Sequence, residues 1–280
     1  MAVILDGRET SEKIMEELQS EVEKLKEKGV NPALALVLTG TDRFSRRYVQ
    51  MKARRAEKIG IEARFHHLEE TTTGEVVKLI RELSDDPAVH GVLVQLPVAE
   101  GLDELEIVDA IDPEKDVDGL TPSTLGKILM GEETLLPAGV EAIMELFRRY
   151  DIDPEGKRWA VAGSTNWLRK PLIALLANMN ATVGICGKDD PGMPELVKEA
   201  DVICTELFRK HAITADMVKP GVVVIDNGNN YEGKKVFGDV DTEAVSEVAG
   251  AITPVPGGVG PLLITMLLSN TVKAASGSTV

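Results

Sequence analysis

Two residues able to handle protons, Tyr48 and Lys52, lie four positions apart in a segment whose pattern predicts a helix. Residues four apart share one helix face, and Val49, Ala56 and Ile59 make this face apolar. A lysine on such a face is partly desolvated, which lowers its pKa and makes its amine a usable proton acceptor near neutrality. The competing interpretation is a lysine whose stem covers apolar surface while its ammonium reaches water.

Three further polar residues lie where the surrounding pattern is apolar or tightly turned. Gln95 ends the apolar run that begins at Gly91. The carboxyl end of a parallel strand is where such sheets place ligand-binding groups, although a glutamine bonding a loop backbone is an equal alternative. Asp116 and Asp118 share the turn Lys115–Gly119, and paired carboxylates in loops usually cap helices or form Asx turns. A metal site is the weaker alternative, because no further ligands cluster nearby in the sequence.

The segment from Thr253 to Pro261 is rich in proline and glycine and directly precedes an apolar helix. Its prolines fix the backbone, while its glycines allow a positive φ and the close approach of a ligand. A rigid linker would have a similar composition, but linkers seldom lead into a helix this apolar. The segment is therefore a candidate for ligand contact.

The overall charge excludes two classes of partner. The chain has 280 residues, with 31 Lys and Arg against 46 Asp and Glu and a formal net charge of −15. Nucleic acid and anionic membranes would be repelled, so we expect neither as a partner. A small anionic ligand is still compatible with this charge, because a local basic pocket can oppose the global sign.

Cys186 and Cys204 are too few for a disulfide framework, and we expect both to be small buried hydrophobic residues. The sequence has no signal-peptide pattern and no apolar run long enough to span a membrane. These features favour a reducing, cytoplasmic setting.

The hydrophobic period alternates between strands and helices, which predicts parallel sheets with right-handed crossovers. A break rich in turn formers at 111–122 divides the alternation into two α/β units. The predicted strands cover 33–38, 61–66, 91–96, 159–163, 181–186, 201–205 and 221–226. The predicted helices cover 14–25, 45–59, 76–83, 140–150, 170–178 and 260–274.

Four segments together resemble the bifunctional methylenetetrahydrofolate dehydrogenase/methenyltetrahydrofolate cyclohydrolase family, in the same order and over almost the whole chain. The matching segments are Ser45–Lys52, Gly91–Pro97, Lys115–Gly119 and Thr253–Pro261. The resemblance implies an α/β protein of two domains with the active cleft between them. The first is a folate-binding α/β domain with a parallel sheet at 1–120, to which the terminal helix 261–280 returns. The second is a Rossmann-like nucleotide-binding domain at 121–260, through which relatives form homodimers.

By the same resemblance, the enzyme oxidises methylene-tetrahydrofolate with NADP and hydrolyses the methenyl product to formyl-tetrahydrofolate. This places it in one-carbon folate metabolism, which supplies purine biosynthesis. Lys52 corresponds to the lysine that handles protons in hydrolysis, Gln95 to the residue that positions and tunes it, and Tyr48 to the residue that orients the folate. Asp118 corresponds to the carboxylate that binds the pterin nitrogens. Further implied substrate contacts are Pro256, Gly257, Gly258 and Pro261.

The nucleotide-binding half departs from the family's motifs in three places. Relatives carry Gly-Arg-Ser-x-x-Val-Gly-x-Pro after the first strand, whereas this chain has Gly163-Ser-Thr-Asn-Trp-Leu-Arg-Lys-Pro171. After the next strand Cys186 is kept, but Gly-Lys-Asp follows instead of His-Ser and a basic residue. A third loop, Gly-Arg-Pro or Gly-Lys-Pro in relatives, begins at Phe208 and continues Arg-Lys.

Two interpretations of these departures stay open. In the first, NADP still binds, with helix N-terminal amides on the pyrophosphate and Lys188, Arg169 or Lys170 facing the 2′-phosphate. In the second, Phe208, Trp167 and Arg169 fill the space left by the glycines, and the protein is a monofunctional cyclohydrolase with weakened or lost dehydrogenase activity. We expect the first, with NADP favoured over NAD, although the aspartate after Lys188 could accept a ribose diol of NAD. The expected cofactor contacts are Gly163, Ser164, Thr165, Asn166, Arg169, Lys188 and Thr253.

Overall fold

The computed structural model describes residues 1–163 and 165–277, in which strands and helices alternate as the hydrophobic pattern predicts. The strands are β1 (Val3–Ile4), β2 (Ala33–Thr39), β3 (Glu62–Leu68), β4 (Gly91–Val94), β5 (Arg158–Gly163), β6 (Thr182–Cys186), β7 (Val202–Glu206), β8 (Val223–Asp226), β9 (Asn230–Glu232), β10 (Lys235–Phe237) and β11 (Ala251–Ile252). The helices are α1 (Gly7–Glu27), α2 (Arg43–Lys58), α3 (Thr73–Asp85), α4 (Glu104–Asp109), α5 (Pro122–Met130), α6 (Ala138–Arg149), α7 (Asn166–Asn178), α8 (Met193–Glu199), α9 (Thr242–Val245) and α10 (Val259–Ser276).

The chain forms two compact units, and each is made of two separate stretches of sequence. The first unit, which we call the nucleotide unit, comprises residues 1–12 and 139–263. The second, the lysine unit, comprises residues 13–138 and the C-terminal segment from residue 264. Both are α/β units with parallel sheets, which confirms the predicted fold class.

These boundaries differ from the predicted ones in three places, the smallest being residues 261–263, which belong to the nucleotide unit. The first twelve residues belong to the nucleotide unit, because β1 pairs in parallel with β11 there. Residues 121–138 stay with the lysine unit, where the Asn270 side chain donates to the carbonyl oxygens of Val117 and Leu136, each at 2.9 Å. Neither contact leaves a periodic signal in the sequence.

The sheet of the lysine unit has the order β3-β2-β4, and all its strands are parallel. Every residue of β2 is buried, as its unbroken apolar run predicts. After β2 the chain adds β3 on one side of that strand and then β4 on the other, so the direction of strand addition reverses at β2. Side chains that follow β2 and β4 therefore meet at one carboxyl edge of the sheet, the usual position of a ligand site in such folds.

The nucleotide unit has a parallel six-stranded sheet in the order β1-β11-β8-β7-β5-β6. Here β5 lies between β6 and β7, which makes its carboxyl end the point of reversal. Cys186 and Cys204 are free and buried in this unit, which confirms the prediction made for them. No helix in the described residues is long and apolar enough to cross a bilayer.

Asp116 and Asp118 share one turn but differ in their contacts. Asp116 is 1% exposed and accepts hydrogen bonds from the backbone N–H groups of residues 119–121 and from the Thr124 hydroxyl. It thereby fixes both the turn and the start of α5, whose N-cap is Thr121. The turn-forming interpretation is thus confirmed for Asp116, and Asp118 is left for the site described below.

Asp116→Ala is expected to lower the free energy of unfolding by about 3 kcal/mol or more, because buried donors without an acceptor cost roughly 1–3 kcal/mol each. Urea denaturation followed by circular dichroism measures the change. Asp112→Ala is the matched control in the same loop, because the Asp112 carboxylate accepts one exposed N–H, that of Glu114. Equal losses in the two variants would contradict the role given to Asp116.

Candidate active site

Lys52 and Gln95 meet at the carboxyl edge of the β3-β2-β4 sheet. The Lys52 Nζ donates to the Gln95 Oε1 at 3.0 Å, and the two residues are 7% and 9% exposed. The Gln95 amide also donates to the Leu96 carbonyl at 2.7 Å, while its backbone N–H donates to Val37 O of β2. Gln95 is therefore held on both sides, and its side-chain oxygen is fixed toward the lysine.

Burial lowers the pKa of Lys52, and the negative charge of Asp118 partly opposes this shift. Burial raises the pKa of Asp118, and the positive charge of Lys52 opposes this rise. The snorkelling alternative for Lys52 is inconsistent with its 7% exposure. The arrangement gives a buried amine next to a carboxyl group, both shifted toward their neutral forms by burial.

Tyr48 completes this group on the preceding turn of α2. The Lys52 Nζ lies 4.8 Å from the centroid of the Tyr48 ring. Burial raises the pKa of Tyr48, and Asp118 raises it further, so the phenol is in its neutral, hydrogen-bonding form near neutrality. The structure thus brings together four residues expected at the folate end: Tyr48, Lys52, Gln95 and Asp118.

In the nucleotide unit, side chains that follow β5 form hydrogen bonds to the carboxyl ends of β5 and β7. The Arg169 Nη1 donates to the Gly163 carbonyl at 2.8 Å. The Thr165 hydroxyl donates to the carboxylate of Glu206, which also accepts from the Asn227 side chain at 3.1 Å. Gly163 and Glu206 are paired in register at the ends of β5 and β7. Burial raises the pKa of Glu206, so the point of reversal in this sheet carries a half-buried acid.

Phe208, in the third departing loop, has a φ of +53°, the left-handed region that bulky side chains rarely adopt. The cause is a neighbouring carboxylate: the backbone N–H groups of Leu207 and Arg209 both donate to Asp239, at 2.6 and 2.9 Å. Asp239 is fully buried and also accepts from the Asn230 side chain. The turn is therefore fixed around the carboxylate, and the residue at 208 must adopt the conformation it requires.

The proline- and glycine-rich segment lines a cavity of about 350 Å³ in the nucleotide unit. Gly257 has a φ of +121°, and its carbonyl accepts from the N–H groups of Gly7 and Arg8 at the start of α1. A Cβ on Gly258 would lie 2.7 Å from the Pro254 oxygen, so this glycine is required by close backbone packing. The residues of this cavity that were predicted as contacts are Pro256, Gly257, Gly258 and Pro261.

The remaining predicted cofactor contacts have separate positions. Lys188 is exposed after β6, and its carbonyl accepts from Arg209 at 3.2 Å. Thr253 is fully buried, and its hydroxyl accepts from the Asp226 N–H at 2.7 Å, so this side chain is engaged inside the unit. Asn166 begins α7, whereas Ser164 lies outside the described residues.

Two family models match the chain over successive parts of its sequence. The catalytic domain of tetrahydrofolate dehydrogenase/cyclohydrolase matches residues 5–118. The NAD(P)-binding domain of tetrahydrofolate dehydrogenase/cyclohydrolase matches residues 137–279. The chain belongs to the tetrahydrofolate dehydrogenase/cyclohydrolase family.

Relatives in this family match the chain from end to end. The bifunctional protein FolD of Nautilia profundicola is 45% identical over 274 residues, which are 97% of this chain and 96% of the relative. A FolD structure from Campylobacter jejuni has a TM-score of 0.96 at 40% identity and covers 99% of both chains. The Trypanosoma brucei enzyme, solved with NADP cofactor and an inhibitor, has a TM-score of 0.92 at 31% identity over 99% and 98% of the chains. These relatives support the bifunctional interpretation over the monofunctional one.

The loop after β5 fits the dinucleotide that this family's second domain takes. No side-chain hydrogen bond from the N-cap residue Thr165 reaches the first turn of α7, so Thr165 itself does not occupy the amides of that turn. A helix start of this kind suits a pyrophosphate. An ionised Glu206 carboxylate would repel a phosphate at this loop. Its burial reduces this repulsion, because burial raises the pKa of Glu206 and favours the neutral acid.

Glu206 is the residue that the sequence analysis missed. It ends the buried run Val202–Glu206, in the same way that Gln95 follows the buried run of β4. The criterion that selects Gln95, a polar residue at the carboxyl end of an apolar strand, would therefore have selected Glu206 as well. In contrast, its partner Asn227 belongs to the following strand's loop and has no such signal.

Asp118→Asn is expected to lower the pKa of Lys52 further, because the variant removes the charge that opposes the effect of burial. NMR titration of isotope-labelled lysine side chains measures this shift. Asp112→Asn, which neutralises a carboxylate in the loop leading to the same turn, should leave the Lys52 titration in place. A rise in the pKa of Lys52 in Asp118→Asn would contradict the arrangement.

At position 208, glycine should be more stable than alanine by about 1 kcal/mol, because only glycine adopts the left-handed region without a steric cost. The measurement compares the unfolding free energies of Phe208→Gly and Phe208→Ala, which lose the same ring. The control pair is Phe65→Gly and Phe65→Ala in β3, where alanine should be the more stable by ~0.5–1 kcal/mol. The same order at both positions would refute the explanation.

Proposed function

We propose that this chain oxidises methylene-tetrahydrofolate to methenyl-tetrahydrofolate with NADP and then hydrolyses the product to formyl-tetrahydrofolate. The single observation that carries the hydrolytic assignment is the buried contact of Lys52 with Gln95 beside Asp118. The dehydrogenase assignment is supported by the match to the family's NAD(P)-binding domain and by the NADP complex of a relative.

In the hydrolytic step, Lys52 accepts the proton of the water that attacks the methenyl carbon. A neutral amine has one lone pair, and burial lowers the pKa of Lys52 in the direction that populates this form. Gln95 takes one Nζ–H in a hydrogen bond, which orients the amine and directs its lone pair elsewhere. The methenyl carbon is cationic, so a neutral amine beside it avoids the repulsion that an ammonium would cause.

The pterin is bound by Asp118, whose carboxyl group takes hydrogen bonds from the donor-rich pterin edge. Tyr48 stacks on or orients the folate next to the lysine, and its ring already contacts the Lys52 Nζ. Pro256, Gly257, Gly258 and Pro261, which line one cavity, are the further substrate contacts in this proposal.

NADP, when bound, would supply the acceptor for the hydride that leaves the one-carbon bridge of the substrate. The first turn of α7, beginning with Asn166, would hold the pyrophosphate, with Gly163 and Thr165 in the loop before it. Arg169 and Lys188 supply positive charge for the 2′-phosphate. We further propose that the protein acts as a homodimer in the cytoplasm and that its product supplies purine biosynthesis.

Lys52→Met should reduce methenyl-tetrahydrofolate hydrolysis by about 10²-fold or more, the usual contribution of a positioned proton-transfer group. The loss of methenyl absorbance measures the rate. Lys78→Met, which removes an exposed lysine of α3, is the matched control and should hydrolyse normally. Near-normal hydrolysis by Lys52→Met would contradict the role assigned to Lys52.

The dehydrogenase half is tested separately by NADPH absorbance with methylene-tetrahydrofolate as substrate, with NADP and with NAD. We expect reduction of NADP and slower reduction of NAD. No reduction of either cofactor by a protein that hydrolyses the methenyl compound would overturn the bifunctional proposal.

A further inference from the structure

The Glu206 carboxyl group lies at the start of α7, although the residue itself ends β7. It accepts hydrogen bonds from the hydroxyl and from the backbone N–H of Thr165, the N-cap residue of α7. A third donor, the side-chain amide of Asn227, lies 3.1 Å away. The helix start that would receive a pyrophosphate therefore already holds a titratable acid of the chain itself.

Two charged side chains lie beside Gly163 in the same turn. A Cβ on Gly163 would be 3.8 Å from the Glu206 Cβ and 3.6 Å from the Arg169 Cδ. Arg169 also donates to the Gly163 carbonyl at 2.8 Å. A dinucleotide on a helix start of this kind passes close to the glycine of the turn. Its pyrophosphate would therefore come close to the Glu206 carboxyl group.

The surroundings of Glu206 contain both acids and cations. The charged and titratable groups that share its cavity, lie beside Gly163 with it or interact with its charge are Arg8, Arg169, Cys204, Asp226 and Asp239. Burial, and then the charges of Glu206 and Asp226, raise the pKa of the Cys204 thiol, which therefore stays neutral. Burial raises the pKa of Glu206 and the charge of Asp239 raises it further, while the bonds from Thr165 and Asn227 oppose the rise. A pyrophosphate adds negative charge, so the pKa of Glu206 must be higher in the complex than in the free protein.

We propose that Glu206 competes internally with the pyrophosphate of the dinucleotide, so that NADP binds with the uptake of one proton by this carboxyl group. The inference rests on the proposed function, because it requires the pyrophosphate to lie at the start of α7. The neutral acid has an O–H that can donate to a phosphate oxygen, whereas the ionised acid is an acceptor only and repels it.

The direction of the pH dependence follows from the two protonation states. Because the pKa of Glu206 is higher in the complex than in the free protein, the complex binds more protons. The affinity for NADP should therefore rise as the pH falls from the pKa of the complex to that of the free protein, and level off below it. Glu206 thus sets the pH range in which this chain takes up its cofactor.

The test measures the Kd of NADP by isothermal titration calorimetry between about pH 6 and about pH 9, for the wild type and for Glu206→Gln. The amide has the size of the acid without its charge, so it should bind NADP about tenfold or more tightly at the high end. This advantage should shrink as the pH falls. The 2′-phosphate of NADP also titrates at a pH of about 6, but its contribution is common to both proteins and cancels in the ratio of their Kd values.

Two further measurements separate charge from other effects. Titrations in buffers of different ionisation enthalpy count the protons taken up, and the wild type should take up more than Glu206→Gln, by at most one. Glu206→Ala should gain affinity as Glu206→Gln does. A gain in the alanine variant alone would attribute the effect to the size of the side chain and overturn the proposal.

The matched control is Glu195→Gln, which removes an exposed acid from the first turn of α8 in the same unit. It should bind NADP as the wild type does, and an equal gain there would attribute the effect to net charge and contradict the proposal. The same Kd and pH dependence in the wild type and Glu206→Gln would overturn the competition while leaving the proposed function intact. Failure of both proteins to bind NADP at any pH would instead overturn the proposed dehydrogenase function and this inference with it.

Discussion

The burial of one amine, that of Lys52, constrains much of the lysine unit. An ammonium taken out of water loses several kcal/mol of solvation, so its surroundings must supply partners or stabilise the neutral amine. Gln95 supplies an acceptor at 3.0 Å, Tyr48 a ring face and Asp118 an opposite charge. These partners come from the end of β4, from α2 and from the turn after residue 115. The amine is therefore accommodated only when β4, α2 and this turn are formed together.

Asp116 connects that requirement to the rest of the unit. Its carboxylate accepts from three successive backbone N–H groups, and Val92 of β4 donates to the Lys115 carbonyl at 2.8 Å. The turn is thus attached to the strand that carries Gln95 and is folded around a structural acid. Asp118 is placed by this arrangement two residues later. One carboxylate builds the turn, which leaves the other for chemistry.

The sequence predicted the elements whose signal is periodic or local. The buried run of β2, the shared face of Tyr48 and Lys52, and the strand-end position of Gln95 are each defined by a few neighbouring residues. Contacts between distant segments had no such signal. The pairing of β1 with β11 and the bonds of Asn270 to the 117–136 region hold these segments to their units through a few hydrogen bonds. Local patterns cannot reveal them, because neither partner is unusual in its own surroundings.

The nucleotide unit shows why departures from a motif are a poor guide to backbone geometry. The family's motif has glycine at the position of Phe208, and one interpretation of this departure was that Phe208 fills the space that the glycine leaves. Yet the N–H groups on either side of Phe208 converge on Asp239, a buried acceptor that is also bonded by Asn230. An unsatisfied buried carboxylate would cost more than the ~1–3 kcal/mol of a left-handed phenylalanine, so the turn keeps its geometry and the side chain bears the strain. The conformation of this loop is set by its acceptor, and the identity of residue 208 changes only what the loop presents to its surroundings.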